Sequence, residues 1–500
     1  MRSLSPPPAS RADVRALGAR SLPEVWAEHW TRDPERPALG DGARGPLAWG
    51  ALERESARAA GRLHAAGLAA GDRVLVCAAS SLALAVAKVA CLRLGLVLVP
   101  ANPAYRAREL GALVADARPR AALVDDAERA RGLRDADPRL LVTTPELPLA
   151  DAAPPRLDAA APAAPALLAY TSGTTGRPKG ALLSHGNLHA TAEALRLAWR
   201  WTPDDRLVHA LPLFHMHGLG VGLFGTLHAG ASALLLPRFE PGLVLEAAAA
   251  HGATLLFGVP TMWHRLSGDP RAEALRRLRL CVSGSAPLAA ALHERLAAAG
   301  VRVLERYGMT ETGMLASNPL AGERRAGTVG FPLPGVELRL AEPAGEIEVR
   351  GPNVFAGYLE RPEANAAAFT PDGWFRTGDL GAFDPDGYLR IVGRAKELVI
   401  SGGYNVHPRE VEEALRAHPD VEDAAVVGTP SPEWGELVTA YLVSRRELGL
   451  EEIRAHCAPL LAPYKHPRRV HRVAELPKNA LGKLERRRLR DGEVLPEPAE

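Results

Sequence analysis

The sequence predicts an α/β fold in two parts: a large N-terminal domain of parallel-rich sheets flanked by helices, then a small α+β domain. Two observations predict it. From about residue 20 to 390, short β-branched or leucine-rich runs alternate with alanine-rich stretches of helical character, the pattern of helices layered on largely parallel sheets. After about Gly393 the texture changes, with charged helical stretches at 409–418 and 450–461 around short strands at 424–429 and 438–444. The division is therefore placed at 1–394 and 395–500. A second part of roughly 100 residues lies within the usual domain range.

The elements follow in chain order. The N-terminal stretch has no apolar core of a secretory signal. Its Arg and Ser content faintly resembles a transit peptide, but three consecutive prolines at 6–8 argue against an amphipathic helix there. The runs Arg73–Cys77, 121–125, 206–210, 231–236, 253–257 and 278–282 are apolar over five or six residues, as central strands of a covered sheet are. The longest apolar run, 82–94, carries Lys88 and Arg93. A membrane span needs ~20 nearly uncharged residues, so this run reads as a buried helix. The segment 144–165 is too rich in proline for a helix interior and reads as an exposed connection into a strand at 166–170.

Composition excludes several function classes. The chain has 500 residues, 47% hydrophobic and 24% charged, an ordinary globular balance. Sixty Lys and Arg against fifty-eight Asp and Glu leave a net +2, so nothing points to nucleic acid or a membrane surface as partner. The four cysteines are widely separated and form no CxxC pair, which indicates neither a zinc site nor a disulfide framework. Cys77, Cys91 and Cys281 lie in apolar runs and read as buried, inert thiols. A reducing, cytoplasmic location fits.

The sharpest segment is YTSGTTGRPKG, 170–180, directly after an apolar strand. Glycines let backbone approach a polyanion closely, and successive N–H groups form an anion nest. Hydroxyls from Thr171, Ser172, Thr174 and Thr175 add neutral donors around Gly173 and Gly176, and Lys179 adds charge. The segment is not a Walker A loop, which needs Gly-Lys-Ser/Thr, because Lys179 is followed by Gly180.

This segment resembles the phosphate-binding loop of the adenylate-forming superfamily of acyl-CoA synthetases, adenylation domains and luciferases. The resemblance extends from about residue 22 to 489 in matching order: RYGMTET at 306–312, TGD at 377–379, GR at 393–394, SGGYN at 401–405 and PKNALGK at 477–483. It implies the adenylate-forming fold with a mobile C-terminal domain, and an enzyme that uses ATP, Mg²⁺ and coenzyme A, first forming an acyl-adenylate and then a thioester.

The resemblance also implies roles. Lys483 matches the catalytic lysine, an ammonium between the substrate carboxylate and the α-phosphate. Charge that develops there is offset best by a preorganised donor. Glu311 matches the magnesium ligand, with Thr174 as helper. Mg²⁺ takes oxygens and keeps waters. Tyr307 matches the ring stacked on adenine, continued by Gly308, Met309 and Thr310. Ser283, Gly284, Ser285 and Ala286 match the loop along the other side of the base. Asp379 is matched to the ribose hydroxyls, with Arg394 supporting it. Lys396 takes the hinge position, where other members often have Asp, and Ser401, Gly402 and Gly403 the passage of the pantetheine arm. His215 resembles the gate of that passage. His215 and His217 at i and i+2 also suggest a metal, but no third ligand is in view. The basic tail, 484–490, reads as a solvated helical face, or alternatively as a site for the phosphates of a nucleotide or coenzyme A.

The segments 211–218, 258–265 and 309–314 look most like malonyl-CoA synthetases. Malonate carries a second carboxylate, which needs a cationic partner when buried. Arg265 is the candidate through bidentate pairing, assisted by Ser283 and bounded by Met314. Other readings remain: a synthetase for a fatty or aromatic monocarboxylic acid, an adenylation domain loading a separate carrier, or a catalytically silent ligand-binding scaffold. The chain is expected to act as a monomer or homodimer.

Overall fold

A computed structural model describes residues 16–42, 45–171, 178–342, 345–401, 404–431, 433–479 and 483–494. These divide into two compact units. The first comprises the described residues up to Leu338 together with Val349–Phe375; the second comprises Arg339–Glu348 and the described residues from Arg376 onward.

The first unit carries two large sheets. One has seven strands in the order Gly357–Tyr358, Lys179–Ser184, Pro165–Thr171, Val97–Pro100, Arg73–Cys77, Ala121–Val124 and Leu141–Thr143. Its central strands pair in parallel, whereas Pro165–Thr171 and Lys179–Ser184 form an antiparallel pair. The four residues of Ala121–Val124 are all buried, the pattern of a strand covered on both faces. Packed with its Ala122 and Val124, Leu75, Val99, Leu110, Leu113 and Leu168 are at most 5% exposed.

The other sheet has nine strands. Its parallel core runs Val303–Met309, Leu280–Ser283, Leu255–Gly258, Arg206–His209, Ser232–Leu235 and Pro37–Gly40. An antiparallel hairpin, Val303–Met309 with Gly313–Ser317, extends one edge. The run 82–94 forms the helix Leu82–Arg93, capped by Ser81 Oγ, which accepts from the Leu84 N–H. Ten of its twelve residues are buried, so it lacks the polar face of a surface helix. Arg93 remains tolerable there because its guanidinium reaches Asp158 at 3.0 Å and Glu53 at 3.1 Å. Cys77, Cys91, Cys281 and also Cys457 are buried free thiols.

The second unit holds a small sheet in which Val421–Ser431 and Gly435–Ser444 form a long antiparallel pair, with Arg469–Arg472 added in parallel. The helices Pro408–Arg416 and Leu450–Cys457 pack onto it through a core including Val411, Leu415, Val426, Leu442 and Ile453. A four-stranded sheet, chiefly in this unit, runs Glu337–Ala341, Glu346–Arg350, Phe375–Phe383, Leu389–Arg394. Among the described residues no helix is long and apolar enough to cross a membrane.

Candidate active site

Parallel sheets present ligands at the carboxyl ends of their strands, and the segment 283–286 leaves the sheet at such an end. Gly258 pairs with Ser283, and Ser283 with Glu305, so two strand ends lie side by side against the strand Val303–Met309. Beyond them the chain turns through Gly284, Ser285 and the exposed Ala286. Gly284 lies close under Arg306: a Cβ there would lie 2.5 Å from the Arg306 guanidinium carbon, so a larger residue would have to displace that side chain. The Ser283 hydroxyl is fully buried and has no hydrogen-bond partner among the described residues.

Arg306 is the residue that sequence reasoning left without a role. It is 5% exposed, and its Nε and one terminal nitrogen have no partner among the described residues. Burial alone pulls its pKa down to about 9. A guanidinium is planar with five N–H donors, and leaving such a group buried without an acceptor costs several kcal/mol. The available signal was an arginine inside a strand whose other members at 303–305 and 307 are buried.

His215 and His217 sit on the segment after the strand Arg206–His209. The His217 N–H donates to His215 Nδ1 at 3.3 Å, and Ser285 Oγ lies 3.3 Å from His217 Nδ1. His217 stacks on Phe257 with centroids 6.5 Å apart and opens a helix of π geometry, His217–Phe224, a form frequent at functional sites. Arg265 lies on the helix Pro260–Ser267 with an exposed side chain, its guanidinium 5.1 Å from the Phe239 ring centroid. The neighbouring Trp263 is fully buried and donates from Nε1 to the Val282 carbonyl at 3.2 Å.

Glu311 is displayed at the tip of the hairpin whose strands pair Gly308 with Met314 and Met309 with Gly313. Gly313 closes that tip at φ +58°, where a residue with Cβ is strained. The tip is tied down by the Phe355 N–H on the Glu311 carbonyl at 2.9 Å and by Asn353 Nδ2 on the Thr312 carbonyl at 2.8 Å. The Glu311 carboxylate is 4% exposed and accepts from Tyr358 OH at 3.0 Å and Thr171 Oγ1 at 3.4 Å. Lys179 Nζ lies 5.3 Å from the Tyr358 ring centroid. A carboxylate beside a hydroxyl is an all-oxygen donor set and fits a hard cation such as Mg²⁺. Tyr307 is buried, Gly308, Met309 and Thr310 are partly exposed beside it, and Met314 is buried. Ser172, Gly173, Thr174, Thr175 and Gly176 lie outside the described residues, as do Gly402 and Gly403.

In the second unit Asp379 and Arg394 face each other across an antiparallel pair, with Arg394 Nε 2.9 Å from Asp379 Oδ1. Thr377 Oγ1 accepts the Asp379 N–H at 3.1 Å, which fixes the turn before the carboxylate. Asp379 is buried while its arginine is half exposed. Lys396 stands exposed on the turn Ala395–Glu397, and Ser401 is buried. Lys483 is exposed. Its N–H donates to Asn479 Oδ1 at 3.0 Å, and its carbonyl accepts the Asn479 N–H at 2.8 Å.

Comparison with known proteins bears on these residues. Residues 26–359 match the family described as AMP-binding enzyme, and residues 410–483 match the AMP-binding enzyme C-terminal domain. The chain is 39% identical to a sulfoacetate–CoA ligase of Cupriavidus necator, over 95% of this chain and 99% of that one. It superposes on the crystal structure of ATP-bound MatB from Rhodopseudomonas palustris with a TM-score of 0.87 at 39% identity, covering 94% of this chain and 98% of that one. A malonyl-CoA ligase in ternary product complex with methylmalonyl-CoA and AMP is 46% identical, with a TM-score of 0.66 over 89% of this chain and 97% of that one.

Proposed function

The chain belongs to the AMP-binding enzyme family and is an acid–thiol ligase that uses ATP, Mg²⁺ and coenzyme A, and from that premise we propose that the acid it activates is malonate. The observation that carries this reading is Arg306. A buried guanidinium without an acid partner among the described residues wants an anion, and a monocarboxylic acid spends its only carboxylate in the reaction. Malonate brings a second one, which meets Arg306. Arginine and carboxylate match as planar, bidentate partners. Sulfoacetate carries a sulfonate at the equivalent place.

The chemistry is then as follows. One malonate carboxylate attacks the α-phosphorus of ATP and pyrophosphate leaves, giving the acyl-adenylate. The thiol of coenzyme A next attacks the acyl carbon, and AMP leaves. In this reading Lys483 offsets charge on the reacting oxygens, and Glu311 with Thr171 and Thr174 holds Mg²⁺, which shields the phosphates. Lys179 adds a cation at the phosphates. Tyr307 and the 283–286 loop enclose adenine, and Asp379, held by Arg394, takes the ribose hydroxyls. Lys396 serves as the hinge of a C-terminal domain beginning at 395, and His215 with Ser401, Gly402 and Gly403 borders the pantetheine path. Arg265, on the surface of its helix, is the second cation within reach of test.

The test is AMP release from malonate, sulfoacetate, propionate and an aromatic acid, each with and without coenzyme A. Malonate is expected to exceed propionate in kcat/KM by about 100-fold, the scale of an ionic contact of ~2–3 kcal/mol. Propionate or the aromatic acid equal to malonate refutes a charged second group. Sulfoacetate ahead of malonate replaces the carboxylate by a sulfonate.

A further inference from the structure

Tyr358 touches two of the charged groups assigned above from opposite parts of one side chain. Its hydroxyl donates to Glu311 Oε1 at 3.0 Å, and its ring lies 5.3 Å from Lys179 Nζ. Its own placement is over-determined. The backbone N–H donates to Asn365 Oδ1 at 2.7 Å, and the carbonyl accepts from Asn365 Nδ2 at 3.0 Å. Gly357–Tyr358 pairs with the strand Lys179–Ser184, Tyr358 opposite Ala181, and the Leu359 N–H donates to the Gly180 carbonyl at 2.9 Å. The ring stands edge-on against Phe355, with centroids 4.9 Å apart. Nothing in this frame lets the ring turn without breaking several contacts at once.

We infer that Tyr358 is a positioning residue that couples the metal-binding carboxylate of Glu311 to the phosphate-binding ammonium of Lys179. The inference rests on the nucleotide reading above and adds to it a residue outside the assigned set. A carboxylate that gives a lone pair to a hard cation binds best when a neighbouring donor fixes its orientation, and loss of such a donor typically costs 10–100-fold in metal affinity. The hydroxyl supplies that donor. An ammonium over an aromatic face is held by the ring quadrupole with about 0.5–2 kcal/mol, which leaves its N–H groups aimed by the ring. One rigid residue thus sets the orientation of both groups.

The test measures binding of α,β-methylene-ATP, which the enzyme cannot cleave, by calorimetry with Mg²⁺ and with EDTA. The ratio of the two affinities is the Mg²⁺ enhancement. Y358F keeps the ring and its packing on Phe355. It is expected to lower the enhancement at least fivefold and to leave the metal-free Kd within twofold. Y358L, which removes the ring as well, is expected to weaken metal-free binding about threefold. E311Q should abolish the enhancement, and Y358F added to E311Q should change nothing more, since pairs acting through one contact are non-additive. An enhancement unaltered in Y358F, or an additive double variant, overturns the inference while leaving the nucleotide reading in place. A parent protein that does not bind the analogue overturns both.

Discussion

Lys88 Nζ donates a 2.9 Å hydrogen bond to the carbonyl of Leu213. Ser80 Oγ accepts the N–H of that same leucine at 3.2 Å, so both polar groups of residue 213 are held from behind, two positions before His215. Lys88 is 1% exposed, and burial pulls its pKa down to about 7. Below pH 7 the lysine is protonated in both the folded and the unfolded chain, and stability does not change with pH through it. Between pH 7 and the ordinary lysine value the unfolded chain holds a proton that the folded chain lacks, so stability rises with pH, by at most ~1.4 kcal/mol per unit. Urea unfolding of the protein and of K88M from pH 6 to 9 is expected to give curves that diverge above pH 7 in favour of the lysine. Parallel curves would mean that Lys88 does not titrate there.

Arg306 makes opposite predictions for stability and for activity. Without substrate its buried charge is a cost, so R306M is expected to stabilise the ligand-free protein by about 1–3 kcal/mol. The same change should raise the malonate KM about 10–100-fold, the range for loss of a hydrogen bond to a charged group, and leave propionate within threefold. R265A provides the comparison. A malonate KM that moves with R265A and not with R306M would transfer the second carboxylate to the exposed arginine. Destabilisation by R306M would show that the guanidinium has a structural partner.

Much of this was legible in the chain. The strand Arg73–Cys77 appears with the expected ends, and the run 82–94 is the helix Leu82–Arg93, buried despite its two cations. Both follow from local apolar patterning. Glu311, Asp379 and Lys483 could be picked out because they sit in short motifs. Tyr358 and Arg306 could not, because their roles depend on residues distant in sequence. Tyr358 meets Glu311 across 47 positions, and the Arg306 guanidinium lies beside Gly284, 22 positions earlier in the chain. Patterning reports which face a residue turns inward; it does not report who waits there.

Three histidines of the first unit set the acid limit. His185, His189 and His209 are buried, and burial is the leading cause that holds each pKa down at about 4. Between pH 6.5 and 4 the unfolded chain takes up protons at these rings that the folded chain refuses. Stability therefore falls with falling pH, with a contribution of up to ~4 kcal/mol per unit for three protons. Urea unfolding at pH 7, 6 and 5 is expected to show this slope, and H209Q to reduce it by about one proton. An unchanged slope in H209Q would mean that His209 is protonated inside the fold.

Lys483 separates the two half-reactions. Attack on the α-phosphorus gathers negative charge on oxygens that start out negative, whereas attack by a thiol on an acyl-adenylate begins from a neutral acyl carbon and an already good leaving group. An ammonium is needed far more in the first step. K483A is expected to slow adenylate formation, followed as malonate-dependent ATP–pyrophosphate exchange, by about 100–1,000-fold, the range for loss of one preorganised donor. Thioester formation from supplied malonyl-AMP and coenzyme A should fall by less than tenfold. The side chain is exposed and its backbone is anchored by Asn479, so removal beyond Cβ leaves the turn intact and the melting temperature unmoved. Equal losses in both half-reactions would assign Lys483 to binding the adenylate that they share, and not to the displacement at phosphorus.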